Sequence, residues 1–440
     1  MASHDPLFSS ADDHLRWLTQ QASLPQGWRV ATGSCPFTPP ESGNAAQVTL
    51  SLLVPDRPTP AFAGVFTRNA FPGAPIIVGR KRLLESHCGG VVINNKISNV
   101  CAPEGISRAE EVCAAVGTAL GLPGQQIIPS STGVIGWRLP AEELSAIAPS
   151  VVADLQSHSI LPAAQGIMTT DCFPKVRRVR LPGGACIVGI AKGAGMVEPN
   201  MATMLVYLLT DAVVEREQLR AALPAAVAPS FNAISIDSDQ STSDTVLALS
   251  SQVIPGVSDD SLRQGLRQLC MELAEDVVRN GEGVRHVQRV TVRGTKDDAM
   301  AKTIGKAVIN APLWKTALAG NDPNVGRLLM AVGKALGNQY PDFCGDALRM
   351  SIADEEIFAQ GCFQLNPERE QRLQAYFQHC ELYPARPASD GITFTSPVRY
   401  PPHPRVVEIS IDLGRGDGAF TVIGGDLTHE YITENADYRS

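Results

Sequence analysis

The run Lys192-Gly-Ala-Gly-Met-Val-Glu-Pro-Asn200-Met-Ala-Thr203-Met-Leu sets a β-hydroxyl directly after the small residue Ala202 and before an apolar, β-prone stretch. Gly193 and Gly195 allow a tight turn or a close backbone approach to a ligand, and Pro199 stiffens the path to Asn200. A hydroxyl beside a strained peptide bond can attack the carbonyl before it. An N-to-O acyl shift and hydrolysis would then leave Thr203 with a free α-amine of unperturbed pKa about 8. That amine would supply the general base a threonine nucleophile lacks. On spacing alone an ordinary glycine-rich turn is the stronger reading, and the GxxxxGK[ST] pattern of a phosphate loop is missing.

The elements around this run mix strands and helices. Strand-like runs are read at 46–54, 61–67, 89–94, 185–191 and 204–209. Phe231–Asp237 alternates as a half-buried strand does, and Val407, Ile409, Ile411 and Leu413 alternate with polar residues. Gly418–Ile423 is expected to pair with that last strand as a hairpin. Ser107 and Glu110 read as a capping box opening a helix that Gly121 and Pro123 stop. Val213–Ala222 reads as a helix closed by Pro224. Leu262, Leu266, Leu269, Cys270, Leu273 and Val277 form one stripe of a helix over 261–279 that Asn280-Gly281 ends, and 328–336 reads as another. The first forty residues read as loop-rich. Without a regular βαβ rhythm, the expected class is α/β, a layered sandwich of mixed sheets and helices.

The whole chain bounds the function. Its 440 residues exceed a single compact core. With 44% hydrophobic and 19% charged residues it is ordinary globular protein. The net charge of −8 shows no basic stripe, so nucleic acid is not an expected partner. No secretory signal or bilayer-length apolar run is read, which points to the cytoplasm. The ten cysteines form no CxxC pair, so mostly buried, reduced thiols are expected and no metal site. His87-Cys88 reads as a buried thiol beside a surface histidine, and Arg177-Arg178-Val-Arg180 as a solvated strand face. Asp237, Asp239 and Asp244 read as turn and capping residues before a cation site.

The full run KGAGMVEPNMATML resembles the self-cleaving motif of the ornithine acetyltransferase (glutamate N-acetyltransferase) family. Further matches follow in that family's order. They are Ser131-Thr132-Gly133-Val134-Ile135-Gly136, Gly166-Ile-Met168-Thr169-Thr170-Asp171, Ser235-Ile-Asp237 with Thr242 and Asp244-Thr245, Gly281-Glu282-Gly283, Asp322-Pro-Asn324 with Gly326-Arg327, and Glu434-Asn435-Ala-Asp-Tyr438-Arg-Ser440. Residues 1–60 match poorly. The resemblance implies a fold of the self-cleaving N-terminal-nucleophile type and a precursor split between Ala202 and Thr203. The resulting α chain (1–202) and β chain (203–440) would stay together as an (αβ)2 heterotetramer or larger. It implies ping-pong transfer of acetyl from N2-acetylornithine to glutamate in arginine biosynthesis. No cofactor is implied, although some members also take acetyl from acetyl-CoA.

By that resemblance Thr203 is the nucleophile, and Thr132 and Gly133 form the oxyanion hole. Lys192 would bind a substrate carboxylate, and Glu282 would hold an ammonium or move a proton. Thr170, ahead of Thr169, would touch substrate, as would Asn435 and Ser440. The helix dipole disfavours an anion at Glu282, so a partner for it is expected. Departures fall at Asn94–Asn99, at Ser238–Thr245, at Gly283-Val284-Arg285-His286 after Glu282, and at Val325, where the family has Trp. They point to retained chemistry with a shifted amino-acid substrate. Two other readings stay open: an N-terminal-nucleophile amidase or aminopeptidase, and an uncleaved, non-catalytic homologue.

Overall fold

The computed structural model describes residues 6–198, 204–340, 345–384 and 397–437. Ala202, Thr203 and Ser440 lie outside them. Two compact units are present: a first of Leu15–Asn232 with Asp239–Val277, and a second of Met1–His14, Ala233–Ser238 and Val278–Arg439.

Two sheets build the first unit. One has the order β1-β2-β4-β5, with β1 at Trp28–Phe37, β2 at Ala46–Pro55, β4 at Gly90–Asn94 and β5 at Ile127–Ser131. The other has the order β3-β10-β8-β7-β6, with β3 at Phe62–Phe66, β6 at Lys175–Arg180, β7 at Cys186–Lys192, β8 at Leu205–Ala212 and β10 at Thr245–Ile254. Period-two alternation sorts their side chains. Leu53 of β2 joins Val188, Ile190, Leu205, Tyr207 and Leu247 in a core shared by both sheets. Val48, Leu50 and Leu52 of β2 pack instead with Val112, Cys113 and Val116 of helix α3 (Gly105–Leu120) and Leu144, Ala148 and Val151 of α4 (Ala141–Ala153). On the outer face of the second sheet, Gly189 leaves room for Leu269 and Leu273 of α7 (Asp259–Arg279). Helices, sheet, sheet and helix therefore stack in layers, as the sequence led us to expect. Helices α1 (Ala11–Gln21), α2 (Ala74–Arg82), α5 (Leu161–Gly166) and α6 (Arg216–Val227) complete the elements up to that point.

The second unit is a seven-stranded sheet of order β14-β13-β12-β15-β11-β16-β9. Its strands are β9 (Ile234–Ser235), β11 (Val287–Thr295), β12 (Arg349–Ile352), β13 (Glu355–Ala359), β14 (Cys362–Phe363), β15 (Val407–Asp412) and β16 (Gly418–Gly425). Helices α8 (Asp298–Ile309), α9 (Pro312–Ala319), α10 (Val325–Gln339) and α11 (Pro367–Cys380) cover one face. Val290, Val292, Ile409 and Ile411 meet Ile304, Trp314, Leu328 and Phe377 there. The opposite face is wetter and carries the cross-strand pairs Arg289–Glu408 and Arg293–Asp412. Helix α12 (His429–Asp437) closes the described chain.

Several expectations need correction. The first forty residues are not loop-rich, since α1 and β1 lie there. The capping box does not form: α3 starts at Gly105 after Glu104 in a left-handed conformation, and Glu110 is taken by Arg82. Pro224 sits inside α6 and does not end it, because Leu219, Leu223, Ala226 and Val227 continue the buried stripe past it. Phe231–Asp237 is a 3-10 turn followed by only two strand residues. No hairpin joins β15 and β16, because β11 lies between them, parallel to β15 and antiparallel to β16. Arg177 is not solvated: its guanidinium makes a bidentate, buried pair with Asp276 at 2.6 Å. The thiols follow expectation, with six of the nine described cysteines buried, Cys88 among them beside an exposed His87.

Candidate active site

One end of the first unit's sandwich gathers most of the singled-out residues. Lys192, the last residue of β7, pairs with Leu205, the first of β8, and Leu205 pairs in turn with Thr245, the first of β10. Lys175 opens β6 opposite Ala191. Leu205 follows Thr203 by two residues in the sequence, so β8 begins just after the residue expected to be the nucleophile. The neighbouring sheet contributes β5, whose last residue, Ser131, leads into Thr132 and Gly133. The Tyr207 hydroxyl of β8 donates to Ser130 Oγ of β5 at 2.6 Å, a buried bond joining the two sheets at this end.

The Thr132–Gly133 loop is held by 94–99, one of the segments that departs from the family pattern. Thr132 N–H donates to the Asn94 carbonyl (3.1 Å), and Val134 N–H donates to the Lys96 carbonyl (2.8 Å). Ser131 Oγ donates to Asn94 Oδ1 (2.6 Å), and Ser98 Oγ donates to the Val134 carbonyl (2.6 Å). Gly133 has φ +129°, and a Cβ there would stand 2.1 Å from the Lys96 carbonyl carbon and oxygen. Only glycine fits. Among the described residues, neither the Gly133 N–H nor the Thr132 hydroxyl has an acceptor. Two preorganised donors on one rigid loop are what a developing oxyanion needs.

Asp171 organises the next group. Its carboxylate accepts Thr169 N–H at 3.1 Å, Gly193 N–H at 3.0 Å and the Lys175 ammonium. Half-buried Thr169, Thr170 and Lys192 are thereby drawn into one constellation. Burial alone would raise the Asp171 carboxyl. The Lys175 and Lys192 ammoniums, with the Lys175 and Gly193 hydrogen bonds, hold it instead at about 2. Asp244 goes the other way: it is 1% exposed, its oxygens have no hydrogen-bond partner at good geometry, and burial pushes it well above the ordinary carboxylate range.

Glu282 and Asn435 belong to the second unit and come together there, Asn435 Nδ2 donating to Glu282 Oε2 at 2.8 Å. This is the partner that the helix-end position of Glu282 called for. Gly283, with φ +63°, leaves no room for a Cβ beside the α12 backbone, and its carbonyl accepts the Thr428 and Tyr383 hydroxyls. Glu434, in the same helix, is raised to about 7 by burial and then by Glu282 and Glu430. The departures Arg285 and His286 point inward: Arg285 pairs with Glu430 at 3.2 Å and His286 with Asp426 at 2.8 Å, all four buried. Val325 likewise is core. The motif Asp322-Pro-Asn324 lines a separate open cavity of about 530 Å³ with Glu370 and Gln374. No group of three or more His, Cys, Asp or Glu suited to a metal occurs among the described residues.

Lys175, Tyr207 and Asp244 were not singled out as site residues from sequence. The Asp171–Lys175 spacing of four was a readable signal. The cross-sheet bond of Tyr207 left none.

A layered α/β scaffold with a loop of two untaken donors at one end of its sheets is the class that fold and site define. The family model described as "ArgJ family" matches residues 42–440, so the chain belongs to the ArgJ family. It is 36% identical over 428 residues to the arginine biosynthesis bifunctional protein ArgJ of Nitratidesulfovibrio vulgaris, covering 95% of this chain and 100% of that one. It is 37% identical over 379 residues to glutamate N-acetyltransferase Oat2 of Streptomyces clavuligerus, covering 86% and 89%. Among solved structures, ArgJ of Bacillus halodurans is similar at 26% identity and a TM-score of 0.44, over 53% of this chain and 98% of that one. No helix among the described residues is long and apolar enough to cross a membrane.

Proposed function

We propose that the chain moves an acetyl group from N2-acetylornithine to glutamate, or a related amino acid, through an acyl-enzyme on Thr203. The observation that carries this reading is the Thr132–Gly133 loop with two donors that no described residue takes up, in a chain of the ArgJ family. Cleavage between Ala202 and Thr203 yields α (1–202) and β (203–440) chains, which remain paired as (αβ)2 or larger in the cytoplasm. The Thr203 hydroxyl attacks the acetyl carbonyl while its own α-amine takes the proton. Thr132 and Gly133 receive the oxyanion. Ornithine leaves with that proton on its nitrogen, and the glutamate amine attacks the ester in the reverse sequence. Lys192 takes the substrate carboxylate, Glu282 a substrate ammonium, and Thr170, Asn435 and Ser440 its remaining polar groups.

The test is incubation with N2-acetylornithine with and without glutamate, then with a panel of amino acids and with acetyl-CoA as donor. Ornithine release coupled to N-acetylglutamate supports the reading. Acetate release indifferent to acceptor replaces it with an amidase. Intact mass complements this, because a single species near 46.9 kDa in active enzyme removes the proposed base. Thr203→Ala is expected to abolish processing and transfer together.

A further inference from the structure

Arg285, three residues after Glu282, is buried, and the reaction as drawn does not use it. Four separate pieces of the second unit meet on this one residue. Its Nη2 donates to Glu430 Oε2 of α12 at 3.2 Å, and its Nη1 donates to the Ala319 carbonyl at the end of α9 at 3.1 Å. Its guanidinium carbon stands 5.6 Å from the centre of the Tyr383 ring. Its backbone N–H donates to Asp426 Oδ1, just after β16, at 2.9 Å. A buried ion pair carries a desolvation cost and is weak evidence for stability, so its place in the fold matters.

Two of these contacts lead back to the Glu282–Gly283 turn. The Tyr383 hydroxyl donates to the Gly283 carbonyl at 3.1 Å. Gly283 has φ +63°, and a Cβ there would lie 2.3 Å from the backbone nitrogen of Tyr431, the residue after Glu430. The first turn of α12 and Tyr383 thus both pack on Gly283, and Arg285 holds both. Further along α12, Asn435 Nδ2 donates to Glu282 Oε2 at 2.8 Å and to the Tyr431 carbonyl at 3.0 Å. With those bonds made, Glu282 Oε1 and Asn435 Oδ1 have no donor among the described residues. Two open acceptors on bonded side chains suit an ammonium, which only donates.

We propose that Arg285 is a positioning residue for substrate selection: by fastening α12 and Tyr383 around the Glu282–Gly283 turn, it fixes the Glu282–Asn435 pair that recognises the side-chain ammonium of the amino-acid substrate. The clamp rests on the geometry alone, and the identity of the ammonium rests on the acetyltransferase reading.

The experiment compares mature wild type with the double variant Arg285→Met/Glu430→Gln, which removes the clamp without stranding a buried charge. Each is assayed with N2-acetylornithine and with N2-acetylnorleucine, in which a methyl replaces the ammonium. The double variant is expected to raise KM for N2-acetylornithine about tenfold or more while kcat moves less than about threefold. KM for the methyl analogue should move less than about threefold, so that discrimination shrinks. Amide hydrogen exchange across α12 should quicken by about tenfold or more. Equal shifts for both substrates, an unchanged KM for N2-acetylornithine, or unaltered exchange in α12 would overturn the proposal. If the double variant does not fold, Arg285→Lys decides, because it keeps the charge but loses the guanidinium fork. A KM for N2-acetylornithine raised about threefold or more, with the analogue unmoved, supports the clamp; no shift, or the same shift for both, refutes it. If wild type transfers no acetyl group, the functional reading fails. Exchange in α12 then judges the clamp, and calorimetric binding of the two compounds applies the same criteria to Kd.

Discussion

At the scale of the residue, backbone conformation and charge environment decide what each group can do. Thr132→Ala deletes one donor from a loop held by backbone bonds and by the Ser131 and Ser98 hydroxyls, none of which the change removes, so the loop should keep its shape. Its kcat for acetyl transfer is expected to fall about 10²–10³-fold with little change in KM, as read by steady-state kinetics. Gly133→Ala should be worse, because the Lys96 backbone occupies the Cβ position. Glu434 makes a different prediction. Its folded pKa of about 7 lies above the ordinary value of 4.5, so the folded state holds this proton more tightly than the unfolded one. That stabilisation is complete below pH 4.5 and is lost as pH climbs through 7. Glu434→Gln should therefore flatten the fall in Tm between pH 5 and 8, the variant gaining on wild type at the alkaline end. A pH-independent offset would refute the assignment. His403, lowered to about 4 by burial, acts in the opposite sense between pH 4 and 6.5 and cancels in the comparison.

At the scale of the element, the site depends on strands whose ends are tied across the sandwich. The Tyr207–Ser130 bond is one such tie, two residues before the Thr132–Gly133 loop. Tyr207→Phe leaves a buried Ser130 hydroxyl without its donor, a loss of about 1–3 kcal/mol in denaturant melts. Transfer should drop further than stability explains, because Ser130 lies two residues before Thr132. Unaltered kcat in a folded variant would deny the tie any role in catalysis. This scale also shows what the sequence could reveal. The stripe from Leu262 to Val277 and the alternation from Val407 to Leu413 were legible because each buries one face at a single period. The β15–β16 hairpin was misread because proximity in sequence says nothing about a third strand, β11, inserting from more than a hundred residues away. Arg177 read as solvated because its partner, Asp276, lies on α7, 99 residues on. Arg285 and His286 depart from the family pattern, yet they are satisfied inside the second unit. Single-residue departures therefore do not map directly onto substrate contacts.

At the scale of the whole molecule, the proposed cut and the folded architecture do not coincide. The two compact units divide the chain at 14, 232, 238 and 277, whereas the bond at Ala202–Thr203 falls inside the first unit. It separates β7 from β8, which pair antiparallel over Ile187–Lys192 and Leu205–Thr210. In the five-stranded sheet, β3, β6 and β7 would belong to the α chain, and β8 and β10 to the β chain. Every boundary between the two contributions is a hydrogen-bonded ladder over the core of Leu53, Val188, Ile190, Tyr207 and Leu247. Breaking one peptide bond at the sheet's end removes none of that burial, worth about 1.5–3 kcal/mol for each large apolar side chain. Mature protein is therefore expected to run as two bands in denaturing gels while eluting as one particle in native size-exclusion chromatography. It should unfold in one transition for the first unit, at a midpoint within a few degrees of an uncleaved Thr203→Ala control. Separate elution of the two chains under native conditions would mean that the cut lies elsewhere or that the sheet does not survive it.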